Sequence, residues 1–332
     1  MAHTSQSGSR VPIRYGIGLE IADGGMRMVA ALAGEARMPA RRWRRHLSAP
    51  PPPDEALDTL DNLIGQVLQE GADGASRPDA LGIAFWGDSD PTRGVTLGKP
   101  YAAAWDHFPL AARLAGRWQA AVSLQSAVAA AAFAEATSGA GQHHRVVLYL
   151  HSGRTIASAV IAGGEIVSGA SGRAGKLAHW LIQPEGPRCA CGQRGHLDPL
   201  ASAQAIVRAT IGLASGSDES TAAMLRVSGG RAEAMTVRQV VQLAHEGDPA
   251  AQSVLGTAWD ALALALANLV AALDPDIIVI GGPPAEAGDG FIGPLRERLT
   301  LLCGSWRPAP PVVPGTLEPR AALAGACLLA RA

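Results

Sequence analysis

Residues 189–198 read Cys-Ala-Cys-Gly-Gln-Arg-Gly-His-Leu-Asp, and His179 lies ten residues upstream in Ala-Gly-Lys-Leu-Ala-His-Trp. Cys189, Cys191, His196 and His179 are two thiols and two imidazoles, the donor types that zinc takes in tetrahedral sites. The bland alternative is a glycine-rich loop carrying two idle thiols. A site closed by four protein ligands leaves no position for an activated water, so it would be structural and not hydrolytic. The other two cysteines, Cys303 and Cys327, sit in apolar helical contexts and read as buried, inert thiols. Four cysteines in 332 residues do not make a disulfide framework, and a reducing cytoplasm is the simplest setting. The run Arg41-Arg42-Trp43-Arg44-Arg45 has the types of a nucleic-acid patch but reads better as the solvated face of a strand. His143-His144 reads as a loop pair.

These donors need a scaffold. The net charge of −1 argues against a dedicated nucleic-acid surface, and 48% hydrophobic residues suit one large or two smaller globular domains. No apolar run reaches the roughly 18 residues that a membrane span needs. Residues 1–14 are polar, without the apolar core of a secretory signal, and read as a disordered tail. Residues 15–34 read as strand, turn at Gly24-Gly25, strand, with a third strand in 40–48. Pro50 to Pro53 break the chain, and Asp54 is the expected N-cap of a helix over 55–70. A buried strand follows at 81–87, an edge strand in Gly-Val-Thr-Leu-Gly-Lys-Pro (94–100), and helices over 108–118 and 126–137. Residues 146–169 form a hairpin series. Helices are expected near 200–213, 236–245, 249–273, 290–303 and 320–331, with a strand at 274–282. Residues 215–234 read as a surface excursion. Strands open each half and helices follow, which gives a two-domain α/β protein with a cleft between domains. The expected lobes are 15–123 with 318–332, and 124–317, the latter carrying the zinc motif.

The segment GASGRAGKLAHW…CACGQRGHLD resembles the signature of the ROK family (repressors, open reading frames and sugar kinases), whose pattern is G-x-x-G-x-A-G-E-I-G-H followed by C-x-C-G-x-x-G-C-x-E. The segments 86–114 and 273–299 resemble the family's sugar-side and nucleotide-side motifs in the same order. The resemblance implies an actin-like ATPase (ribonuclease H-like) fold with an interdomain cleft, a structural zinc, and a homo-oligomer, dimer or tetramer. It makes His179, Cys189, Cys191 and His196 the zinc ligands, with His196 at the family's third cysteine. It also places Gly87, Asp88, Tyr101, Gln125, Lys176, His179 and Asp198 toward a small-molecule sugar.

The chain departs from the kinase pattern where phosphoryl transfer needs it. Ser126 stands at the position of the kinases' Asp base; a serine hydroxyl has no useful basicity near neutral pH, and Ser126 reads as a helix N-cap. The nucleotide-side positions are degenerate: Glu20 or Ala22 replaces the first Asp, Gly24 and Gly25 remain, and the kinases' G-T-G-I-G-x-G has become Gly153-Arg154-Thr155-Ile156-Ala157-Ser158-Ala159. Thr155 thus replaces a glycine, while the Gly281-Gly282 turn is kept. Backbone amides approach phosphate closely only where side chains are absent, so these changes point to a filled or closed site. Lys176 replaces a Glu, and Asp198 keeps a carboxylate on a shorter arm.

Three functions follow. The first is a non-catalytic sugar sensor, similar to the effector domain of ROK transcriptional regulators but with no DNA-binding motif in this chain. The alternative is an ATP-dependent sugar kinase acting on a hexose or N-acetylhexosamine, with Mg²⁺ held by Glu20 or Asp23. The third is a scaffold that binds no ligand.

Overall fold

The computed structural model describes residues 15–22, 26–33, 39, 41–98 and 100–332. The chain divides into two compact units, one running through Gln125 and completed by Ala326–Ala332, the other Ser126–Gly325. The lobe limits drawn from sequence stand at 123/124 and 317/318. The turn with Gly24 and Gly25, and Asp23 beside it, lie outside the described residues.

The first unit is built on β1 (Gly16–Ala22), β2 (Arg27–Ala33), β3 (Trp43–His46), β4 (Ala80–Phe85) and β7 (Ala121–Ser126), in the order β3-β2-β1-β4-β7. A separate hairpin pairs β5 (Asp88–Asp90) with β6 (Val95–Leu97). β1 lies at the centre, antiparallel to β2 and parallel to β4, with Ile17 opposite Leu32 and Leu81. Its apolar residues are therefore buried on both faces. Gly18 and Gly82 serve close packing: a Cβ on Gly18 would lie 2.5 Å from Cys327 Sγ and one on Gly82 would run into the Ala326 carbonyl. The helix α1 (Pro53–Gly71) buries Ala56, Leu57, Leu60, Leu63, Ile64, Val67 and Leu68, an apolar stripe at helical spacing. It starts one residue before the expected cap. Proline is favoured at the first helical position, so Pro53 opens the helix and Asp54 lies in its first turn, paired with Arg113 of α2 (Leu110–Trp118). The basic run behaves as a strand edge: Trp43 is buried, with its Nε1 donating to Glu70, while Arg44, Arg45 and His46 are exposed.

The second unit holds β8 (Val146–Ser152), β9 (Ile156–Ala162), β10 (Glu165–Ile166), β11 (Ile277–Gly281) and β12 (Val312–Pro314), in the order β10-β9-β8-β11-β12. A central strand is again antiparallel to its successor and parallel to β11. Around this sheet lie α3 (Ala127–Ser138), α4 (Asp198–Ala201), α5 (Ala203–Ala214), α6 (Asp218–Val227), α7 (Val237–His245), α8 (Pro249–Leu273), α9 (Pro283–Glu286) and α10 (Asp289–Cys303); α11 (Ala321–Leu329) follows β12. α8 is long and apolar enough to cross a membrane by length and composition, contrary to the expectation that no apolar run reaches that length; Gln252, Ser253, Thr257, Asp260 and Asn268 interrupt it. More than half of its most apolar window is buried, with Leu255, Leu262 and Leu266 in the unit's core.

Five helices and strands went unread, among them the four-residue α9. α6 occupies part of the expected surface excursion: Ser217 caps it by accepting from the Ser220 amide, but it buries only Ser220 and Met224, too thin an apolar face to show in the sequence. β5, β7 and β12 are short; of them β7 buries only Leu124.

Candidate functional site

The metal-donor cluster is assembled by one loop of the second unit. A single 3₁₀ turn, Leu177–His179, ends on His179; Leu177 and Ala178 anchor it in the core. The chain returns through Leu197, also in the core, whose amide donates to the Trp180 carbonyl. Between these anchors Leu181 pairs with His196 and Arg188 with Arg194, while the Cys189 amide donates to the Gln193 carbonyl at 2.7 Å. Gly192 and Gly195 adopt φ of +94° and +73°. A side chain on Gly195 would also strike the Gln183 carbonyl, so both conformation and space require glycine there.

This ladder brings the four donors together. His179 Nδ1 lies 3.4 Å from His196 Nδ1, Cys191 Sγ 3.3 Å from His196 Nδ1, and Cys189 Sγ 3.9 Å from His179 Nδ1. All four donor atoms fall within 4.8 Å of one another. A tetrahedral zinc with Zn–N near ~2.0 Å and Zn–S near ~2.3 Å sets its donors roughly 3.3–3.8 Å apart. The cluster therefore has the composition and size of a His₂Cys₂ metal site. Burial pushes the Cys189 thiol pKa up, and Cys191 beside it contributes. A bound cation would reverse that by favouring the thiolate.

The other expected ligand residues are placed as follows. In the second unit, Lys176 precedes the turn that carries His179 and is half-buried. Asp198 opens α4 and its Oδ1 accepts from the Ile156 amide at 2.6 Å, which ties the helix to the start of β9. In the first unit, Gly87 follows β4, where a Cβ would press on the Phe85 ring at 2.7 Å, and half-buried Asp88 begins β5 opposite Leu97. Tyr101 falls in the 3₁₀ segment Pro100–Trp105, and Gln125 is the penultimate residue of β7.

At the kinase-base position, Ser126 is the N-cap of α3, its Oγ accepting from the Ala129 amide at 3.4 Å. No Asp or Glu occurs between Asp106 and Glu135, so that stretch offers no carboxylate whichever of its residues is aligned there. Glu135 itself is fully buried and accepts from the amides of Ala140 and Leu317, each at 2.8 Å, and from Thr316 Oγ1 at 3.3 Å. Glu20, one candidate for holding Mg²⁺, is buried on β1 and paired with Arg27 at 3.0 Å.

One polar cluster escaped the sequence reading. Tyr149 and His151 project from the same face of β8, as residues two apart on a strand do. Both bind Glu318: the Tyr149 hydroxyl donates to Glu318 Oε1, and His151 Nδ1 lies 3.4 Å from the same oxygen. Burial alone would push the Glu318 carboxyl up; hydrogen bonding and charge from His151, followed by Tyr149 and the Gly282 amide, bring it below the usual value. Burial first, then the Glu318 charge, raises the Tyr149 phenol well above 10.0. The i, i+2 pair Tyr149/His151 at the end of an apolar strand was the available signal.

Comparison with known proteins accounts for this arrangement. The glucokinase of Thermotoga maritima is 32% identical over 236 residues, 71% of this chain and 73% of that one. The DNA-binding transcriptional dual regulator NagC of Escherichia coli is 24% identical over 287 residues, 85% of this chain and 68% of that one. The crystal structure of a ROK family glucokinase from Streptomyces griseus in complex with glucose and AMPPNP matches with a TM-score of 0.78 at 26% identity, covering 96% of this chain and 99% of that chain. The architecture is the actin-like two-domain ATPase fold of those sugar kinases. With a ROK family model matching residues 17–332, the chain belongs to the ROK family.

Proposed function

We propose that this protein binds a sugar without phosphorylating it, as a sensor built on the ROK kinase scaffold. The observation that carries the reading is the stretch from Asp106 to Glu135, which offers no carboxylate at the start of α3. Proton removal from a sugar hydroxyl needs a group of suitable basicity within hydrogen-bond reach, and the Ser126 hydroxyl is not one. The Glu20–Arg27 pair supports the reading further, since a carboxylate already paired with a guanidinium is a poor Mg²⁺ ligand. Lys176, His179, Asp198, Gly87, Asp88, Tyr101 and Gln125 are the residues assigned to sugar contacts. Zinc on His179, Cys189, Cys191 and His196 would fix the loop that carries His179. A reducing, cytoplasmic setting and a homodimer or tetramer complete the reading; all four cysteines are unpaired thiols.

A second reading, an ATP-dependent sugar kinase, is favoured by relatedness: most of the named relatives are sugar kinases, among them the Thermotoga enzyme at 32% identity. On relatedness alone it is the stronger reading, and the residues of this chain are what set it second. One experiment separates them. Purified protein is incubated with ATP·Mg²⁺ and a panel of hexoses and N-acetylhexosamines, and both ATP consumption and the melting temperature are followed. The sensor reading expects a sugar-dependent rise in melting temperature without turnover. Sustained sugar-dependent ATP consumption would establish the kinase instead.

A further inference from the structure

We infer that His151, held by Glu318, fills the space between the two glycine turns of the second unit and so excludes a nucleotide phosphate from them. The inference rests on the reading of a non-phosphorylating protein and supplies a physical cause for it. Gly153 follows β8 and Gly282 follows β11. A Cβ on Gly153 would stand 3.1 Å from His151 Nε2, and one on Gly282 would stand 3.0 Å from His151 Cε1 and 3.2 Å from Nε2. The imidazole therefore lies against both turns, in the room that their missing side chains leave.

The backbone donors of the turns are committed as well. The Gly153 amide donates to the Thr155 carbonyl at 3.2 Å. The Gly282 amide is among the groups that stabilise the Glu318 carboxylate. A phosphate binds such turns through free amides and an absence of side chains. Here one amide is spent inside its own turn, the other faces an anion, and a ring occupies the gap. Glu318 adds charge repulsion toward a further anion. Gly281 reinforces the arrangement, since a Cβ there would collide with the Tyr149 hydroxyl and Glu318 Oε1.

The test is calorimetric titration of the full chain with Mg·AMP-PNP. The wild-type protein is expected to show no binding at millimolar nucleotide, and H151G to bind at least about tenfold more tightly. His151→Ser, a smaller loss of polar contacts, serves if the glycine variant is unstable. Wild-type binding as tight as that of either variant would overturn the proposal, and so would folded variants that bind no better than the wild type. Wild-type nucleotide binding without turnover overturns this inference alone, whereas sugar-dependent turnover by the wild type overturns the non-phosphorylating reading too. A variant that binds nucleotide yet transfers no phosphate upholds both.

Discussion

Removing the proposed metal should loosen one loop and lower the stability of the second unit by an amount the geometry sets. Zinc would join His179 to His196 across 17 positions and hold Cys189 and Cys191 between them. Closing a loop of about 15 residues is worth roughly 3 kcal/mol in the chain-entropy account. The segment has little apolar burial of its own: of 181–196, only Gly186, Cys189 and Gly195 are buried, and backbone hydrogen bonds such as those of the Ile182 and Gln183 amides to the Gly195 carbonyl, with partly buried Ile182, are what hold it without a metal. The loss should reach the rest of the unit because both loop ends, Leu177 with Ala178 and Leu197, are core residues. For a unit of about 200 residues, roughly 3 kcal/mol corresponds to a fall of about 6–12 °C in melting temperature. The assay is differential scanning calorimetry of the protein as purified, after chelation, and as the Cys189→Ser/Cys191→Ser double variant, with metal content from elemental analysis. Hydrogen exchange should rise in 181–196 and stay slow in α8. Absence of metal in the purified protein, or wild-type stability in the double variant, would refute the account.

Thiol reactivity offers an independent check. After chelation exposed Cys191 should react with a maleimide in the native state, and buried Cys189 only as the loop loosens, while Cys303 and Cys327 stay protected; burial pushes the Cys327 thiol up to about 12. Gly195→Ala should destabilise by roughly 2–4 kcal/mol in denaturant unfolding, from the positive φ and the collision with the Gln183 carbonyl. Glu135→Ala would leave the buried Leu317 amide unpaired, at about 1–3 kcal/mol, and the half-buried Ala140 amide at less, a loss that Glu135→Gln should only halve. The Tyr149–Glu318 pair should give a stability plateau with two edges. Glu318 is lowered in the fold, so its contribution is present above 4.5 and is lost as pH falls through the folded value. Tyr149 is raised, so its contribution is present below 10.0 and is lost as pH rises beyond that. Tyr149→Phe should remove the alkaline edge in pH-dependent unfolding and leave the acid edge of other carboxylates.

Much of this was legible before the structure. Strongly periodic elements such as α1 and α8, and the buried strands β1, β4, β8 and β11, follow from long apolar patterns that tertiary packing reinforces. What escaped was small or polar. α6 buries only Ser220 and Met224, and β12 is three residues long and ends on Pro314. The four metal donors could be picked out from type and spacing, because they sit within one continuous loop. The Tyr149–His151–Glu318 cluster could not: it joins residues 167 positions apart, and the glycines that make room for it read equally well as phosphate-binding turns.

That ambiguity bears on what a retained motif means. Gly153, Gly281 and Gly282 each have a packing reason in this chain that needs no nucleotide: the nearby ring of His151 for the first, the Tyr149–Glu318 pair for the second, and a φ of +79° with the Ser152 carbonyl 2.6 Å from a would-be Cβ for the third. The same holds at α3, where Ser126 satisfies a helix end and Glu135, the first carboxylate beyond it, is consumed by three internal donors. The ligand loop obeys a different rule. Gly195 admits no side chain and the four donor atoms gather within 4.8 Å of one another, so that loop keeps a shape that could hold a metal.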